Sequence, residues 1–376
     1  MGVTIDGYAI EGGFDDDGPA TSFGIAQSLG QVTSSVRSPA TFEHLGELVE
    51  VVADLGFDEV RLTIEWARIE PRPTVRDEDA LCVYERAIDA ARRRGLSVVV
   101  VLCDVAWPSW VGQEPWLSSW APERFAAYAG FVARRLGDRV RAYVTLRAPN
   151  VAARDGWILA RRPPFRRNAH LDAASALDGM LLAHQLAADE LDAKAPTAAR
   201  ALLFGSSADY GDEGAFRDLV VRGLDASARA ARARSWASRL EERGVATTAG
   251  RTRNRAVVDL DAMRSTERWT GTPTSEWWLE GDDLALLAAA VDHAEGAVTT
   301  VELGAGPGGW GAQLPAAAAT FRPDSGVPAV HLRGALGSTG PLSEPRGLLT
   351  VDQHGGAWQL RTPSRRIADG LALLLA

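Results

Sequence analysis

What constrains this chain most is a repeated alternation of short apolar runs with stretches of helical spacing. "EVRLTIEW" (59–66), "LSVVVVLCD" (96–104), "VRAYVTL" (140–146), "ARALLFG" (199–205), "RAVVDLD" (255–261), "AVTTVEL" (297–303) and "VPAVHLRG" (327–334) read as strands. A further strand lies near residues 3–10, which brings the number to eight. Between them lie helical segments at 79–95, ending at Gly95 as a helix C-cap does, and at 121–138, 172–196, 213–243 and 281–296. A last helix closes the chain at 364–376. Repeated β-α units of this kind close into a single parallel (β/α)8 barrel. No low-complexity linker divides the sequence, so residues 1–376 are expected to form one domain.

Composition excludes several classes of function. The net charge of −9 comes without a long basic block, which disfavours a nucleic-acid partner. The one basic stretch, "ARRPPFRRN" (160–168), reads as local loop charge. Cys82 and Cys103 form no CxxC pair, and the six histidines lack ligand spacing, so neither a disulfide framework nor a metal site is expected. "MGVTIDGYAIEGG" lacks the basic and apolar regions of a signal peptide, and no run of about 18 apolar residues occurs. The expectation is a cytoplasmic protein without a membrane span. Its richness in Ala and Arg suggests a GC-rich, bacterial genome.

The segment "TTVELGAGPGGWGAQL" (299–314) has two readings. As a glycine-rich turn after a strand it suits a nucleotide or S-adenosylmethionine site. As a barrel strand it presents Glu302 as a catalytic carboxylate. The cofactor turn normally opens a Rossmann-type domain with several more strands to follow. Roughly 70 residues remain here, too few for the domain that such a turn opens. No cofactor is expected.

Several stretches, in order, resemble glycoside hydrolase family 1, the retaining β-glucosidases. "GYAIEGGFDDDG" (7–18) is similar to that family's "YQIEG…DG", and "GFDEVRLTIEWARIEP" (56–71) to its "YRFSISWxRIxP". "VLCDVAWPSWV" through "YVTLRAP" resembles the third and fourth barrel units, which end in "TLNEP". "GWILARRPP" (156–164) resembles "GYLxGxxAPG", and residues 346–371 resemble "FGLxxVDY…RxPKxSA". The resemblance implies that Glu302, at the end of strand seven, holds the nucleophile's position. It also implies that Arg61 is the neighbouring arginine, keeping Glu302 ionised through a charge-assisted hydrogen bond. Trp66 and Trp116 match as well.

A retaining glycosidase needs a second carboxyl about 5 Å away, to protonate the leaving oxygen and later activate water. The resemblance puts it at the middle residue of "NEP", where this chain has Arg147, Ala148, Pro149. Alanine has no titratable group, a loss worth roughly 10²–10⁴ in rate for a poor leaving group. The sugar contacts are depleted too. The family glutamine is Ala9, the histidine of "HWD" is Asp104, and the asparagine before the acid is Arg147. The "NFEW" clamp is represented only by "GSTGPLSEPRG" (337–347), and the strand-six tyrosine by Asp261 and Ala262.

Each residue also has a purely structural alternative. Glu302 and Arg61 could be an inherited buried ion pair, and Asp104 could cap a loop or pair with Arg147. Trp107, Trp110, Trp277 and Trp278 could cover the core or line a cleft. Three functions stay open. The leading expectation is a barrel repurposed for another reaction, on a small and possibly anionic metabolite. In it Glu302 and Asp104 act as catalytic groups, and Arg61, Arg147, Asp261, Trp107 and Trp66 bind the substrate. The others are a catalytically inactive ligand-binding or scaffold protein, and a retaining glycosidase or transglycosidase confined to activated glycosides. Oligomeric state is not legible.

Overall fold

A computed structural model describes residues 1–14, 18–31, 41–104, 106–205, 276–281, 298–304, 310–321, 329–332, 336–338, 349–354 and 357–361, together with 284, 287, 288 and 372. Eight parallel strands close in chain order: β1 (Gly2–Ile5), β2 (Glu59–Thr63), β3 (Ser97–Val101), β4 (Ala142–Arg147), β5 (Ala199–Gly205), β6 (Glu276–Gly281), β7 (Val298–Leu303) and β8 (Ala329–Leu332). Hydrogen bonding of β8 to β1 completes the (β/α)8 barrel. A separate sheet joins β9 (Leu336–Ser338), β10 (Leu349–His354) and β11 (Ala357–Arg361), in the order β11-β10-β9.

The helices among the described residues are α1 (Gly7–Ile10), α2 (Ser22–Ser28), α3 (Leu45–Asp54), α4 (Trp66–Ile69), α5 (Glu78–Arg93), α6 (Ala121–Leu136), α7 (Pro149–Trp157), α8 (His170–Lys194) and α9 (Trp310–Thr320). Helix α5 shows why the sequence breaks where it does. The Asp77 side chain accepts the Ala80 N–H at 2.8 Å, acids fill the first turn and Arg92 and Arg93 the last. Gly95 then takes φ 80°, the left-handed conformation that ends the helix. Helix α6 starts with Pro122 in its first turn and stops at Gly137, φ 55°.

Alternation along the strands sorts side chains between two environments. Outward residues such as Val60, Leu62, Val98 and Val100 join the core under the helices. Inside the barrel, Val99, Val101, Ala142, Val144, Ala201 and Leu203 pack around Trp278. The guanidinium carbons of Arg61 and Arg141 lie 5.8 and 5.7 Å from the Trp278 ring centroid, and the His331 ring lies 5.4 Å away. At the N-terminal end of the strands Glu59 accepts bonds from Arg141 Nε (2.5 Å) and Ser97 Oγ (2.8 Å), and pairs with His331 Nε2 (2.7 Å).

One strand assignment needs correction. The strand hydrogen-bonded between β5 and β7 is Glu276–Gly281, while residues 255–261, read as the sixth strand, lie outside the described residues. "RAVVDLD" and "EWWLEG" are both short apolar runs, and periodicity alone does not rank them. Asp261, the 213–243 segment and the C-terminal helix beginning at 364 lie outside the described residues, apart from position 372.

Candidate active site

The C-terminal ends of the strands, where barrel enzymes keep their chemistry, gather a dense set of charges. Thr4 and Asp6 come from β1 and its end, Arg61 from β2, Glu65 and Asp104 from the turns just after β2 and β3, Arg147 from β4, Glu280 from β6 and Glu302 from β7. Register explains part of this gathering, since Glu280 and Glu302 are cross-strand partners on β6 and β7.

Glu302 is fully buried, at 0% exposure. It forms an ion pair with Arg61, itself fully buried, and the Thr4 hydroxyl lies 3.3 Å from its Oε1. The sequence expectation that Arg61 stands beside Glu302 therefore holds in space. Arg147 reaches the same carboxylate from the other side, its Nε 4.0 Å from Oε2. That guanidinium also bonds Glu280 through Nε (2.5 Å) and Asp104 through Nη1 (2.5 Å). Burial opposes its charge. Asp104, Glu280, Glu302 and Asp6 outweigh burial and hold the Arg147 pKa well above the ordinary arginine value.

Local backbone fixes where this arginine points. The β4–β5 register shifts between Val144 and Arg147, and the Arg147 N–H donates to Cys103 O at 3.0 Å. The next residue, Ala148, adopts the left-handed region, φ 46° and ψ 54°. Helix α7 starts directly after it, at Pro149. The Ala148 N–H donates to Leu203 O (2.7 Å), and the Asn150 amide exchanges two hydrogen bonds with Gly205 (2.9 and 3.1 Å). Ala148 is 3% exposed.

Tryptophans divide between wall and core. Trp107, 4% exposed, packs edge-on against Trp116 at 6.3 Å. With Trp157, Arg162, Asp104 and Arg147 these two line a cavity with room for about one water molecule. Trp66 is 1% exposed. It stacks on Tyr128 at 5.6 Å and donates from Nε1 to Glu70 at 3.1 Å, as a packing residue. Trp278 belongs to the barrel interior.

Sequence reasoning missed two members. Glu280 was hidden by the misplaced sixth strand, although "WWLEG" carries the aromatic β-formers and the glycine that mark a strand end. Glu65 lay inside a quoted motif and was passed over. It is 2% exposed, and its Oε1 accepts the Tyr8 N–H at 2.7 Å. Burial first, then the charges of Glu11 and Asp104, push its carboxyl well above the usual range.

Among the described residues no group of three His, Cys, Asp or Glu side chains is arranged to hold a metal ion, and no helix is long and apolar enough to cross a membrane. The carboxylates at the mouth are instead occupied by arginines.

The model of the glycosyl hydrolase family 1 matches residues 1–227. Beta-glucosidase 5 of Oryza sativa subsp. japonica is 29% identical over 205 residues, covering 49% of this chain and 40% of that protein. Coniferin beta-glucosidase of Pinus contorta is 29% identical over 174 residues, covering 44% and 34%. The chain thus spans less than half the length of these curated relatives. Among solved structures, the beta-glycosidase of the hyperthermophile Thermosphaera aggregans superposes with a TM-score of 0.72 at 14% identity, covering 99% of this chain and 95% of that one. The family 1 β-glucosidase of Thermotoga maritima in complex with isofagomine lactam gives 0.70 at 15% identity, covering 99% and 97%.

Proposed function

Because this chain belongs to glycosyl hydrolase family 1 and yet has Ala148 where that family keeps its acid, we propose that it is a non-hydrolytic member. In this reading it binds a small polar molecule at the barrel mouth and does not cleave ordinary O-glycosides. The observation that carries the reading is Arg147, whose guanidinium stands among Asp104, Glu280 and Glu302. Among the described residues Glu302 is 0% exposed, paired with Arg61 and flanked by Arg147, which disfavours attack on an anomeric carbon. No carboxyl stands at residue 148 to protonate a leaving group.

Charge at the mouth also bears on the ligand. Asp104, Glu280 and Glu302 outnumber Arg61 and Arg147, and Arg147 is already bonded to two carboxylates. An anion would have to displace those carboxylates from a buried guanidinium, so a neutral or cationic ligand fits better than the anionic metabolite expected from sequence. Nitrophenyl β-glucosides, assayed with and without azide, test the reading. The expected result is no burst and no azide-dependent release of nitrophenol. Turnover above the heat-killed control would overturn it and support chemistry on activated glycosides. Native mass spectrometry of the purified protein then identifies what the mouth holds.

A second reading, a barrel repurposed for another reaction, is favoured by Glu65. A buried carboxyl pushed above its usual range by burial and by the charges of Glu11 and Asp104 is a potential general acid. Under this reading a substrate found by metabolite screening loses its turnover in Glu65→Gln.

A further inference from the structure

Behind the mouth, two buried carboxyls share the surroundings of one guanidinium. Glu11, at the end of α1, is 1% exposed, and the Tyr84 hydroxyl stands 2.8 Å from both its oxygens. Arg68 Nε donates to Glu11 Oε2 at 3.1 Å, and Nη2 donates to Gly12 O at 2.6 Å. The guanidinium is sandwiched between Phe14 and Phe42, 4.3 and 3.9 Å from their ring centroids. Glu65 joins the same cluster through Tyr84 and Tyr8. Its backbone N–H donates to the same Tyr84 hydroxyl at 3.2 Å, and its carboxylate oxygen accepts the Tyr8 N–H. The fit is tight, since a Cβ added at Gly7 would lie 2.4 Å from Glu65 Oε1. The bonds to Glu11, Gly12 and Tyr8 tie the segment 7–12, which follows β1 at the barrel mouth, to Tyr84 of α5, Arg68 of α4 and Glu65 just before α4.

We propose that Glu11 and Glu65 share a single proton and form a latch on residues 7–12, closed while the proton is held and loosened when it leaves. The charge count argues for it. With both carboxyls ionised, two buried negative charges would face the one guanidinium of Arg68, and Asp104 adds a third negative charge near Glu65. The other titratable neighbours do not supply a proton near neutrality. Burial pushes Tyr84, Tyr128 and Cys103 upward, so they stay neutral. Burial likewise moves Glu11 up to about 7, against the pull of Arg68 and Tyr84.

The direction follows from linkage. The closed latch holds a proton that an opened segment releases in the ordinary carboxylate range, near 4.5. Opening is therefore favoured as pH rises from about 4.5 toward 7, by about tenfold per pH unit for one proton released. This inference does not depend on what the mouth binds.

Hydrogen exchange of the full chain tests it, with rates corrected for intrinsic chemistry and read on the peptide spanning 7–12. In the wild type, protection is expected to fall about tenfold per unit between pH 5 and 7. In Glu65→Gln, which keeps an acceptor for the Tyr8 N–H, the slope is expected to vanish, and likewise in Glu11→Gln. A flat wild-type profile, or an unchanged slope in either variant, would overturn the latch. Infrared spectroscopy supplies a reading that needs no variant. A carbonyl band of a protonated carboxylic acid is expected in the wild type at pH 6.5, and its absence refutes the shared proton.

Discussion

At the scale of single residues, the molecule turns on Arg147 and Ala148. In the proposed reading Ala148 supplies no proton donor, and the arginine before it is a cation bonded to two acids. Restoring one without the other is expected to fail, because a glutamate introduced at 148 would stand next to that guanidinium and remain ionised. Removing the arginine alone leaves Asp104 and Glu280 buried without their cation. Arg147→Ala is expected to cost about 3–5 kcal/mol in urea unfolding at pH 7. A loss under 1 kcal/mol would mean that water replaces the guanidinium without difficulty. Lysine should not rescue it, since one ammonium cannot reproduce the fork that spans two carboxylates. Glu302, Arg61, Asp104 and Arg147 were legible because each lies within a run of residues with recognisable neighbours. Glu280 was harder to read, because periodicity alone does not rank its strand above the apolar run before it, and only its aromatic residues and glycine mark it.

At the scale of elements, the site depends on how β4 hands over to α7. The left-handed Ala148 lets the chain turn immediately after Arg147, and that conformation costs about 1–2 kcal/mol in a residue with a Cβ. Asn150 compensates by closing two hydrogen bonds on the end of β5. Asn150→Ala leaves a buried N–H and C=O of Gly205 without these partners and is expected to lower stability by about 1–3 kcal/mol, measured by chemical denaturation. An unchanged midpoint would show that α7 is held by packing alone. Helix ends were readable from sequence where side chains or glycine set them, as at Asp77 and Gly95. The register shift in β4 was not, because it answers to the neighbouring strands.

For the molecule as a whole, barrel closure creates an interior in which polar layers at the two ends of the strands bracket an apolar middle centred on Trp278. From sequence that tryptophan could have lined a cleft, and closure puts it in the core between Arg61 and Arg141. The two polar ends give stability opposite dependences on pH. Burial opposes the charge of Glu59, but His331 and Arg141 outweigh it and hold the carboxyl far below its usual range. Its contribution is present above about 4.5 and is lost as pH falls below that value. Glu11, raised to about 7, contributes stability that is complete below 4.5 and lost as pH rises through 7. Thermal unfolding scanned from pH 3 to 8 is expected to peak in the weakly acidic range, with Glu65→Gln flattening only the alkaline limb. A melting temperature that climbs steadily to pH 8 would contradict this.

Sequence by itself determined the succession of β-α units and the seat of Glu302 at the seventh strand, because these are properties of contiguous residues. Only the tertiary structure decided which carboxylates Arg147 meets. Glu280 lies 133 residues away along the chain and Asp104 lies 43 away. Such partners are brought together by strand register and barrel closure, which no local pattern encodes.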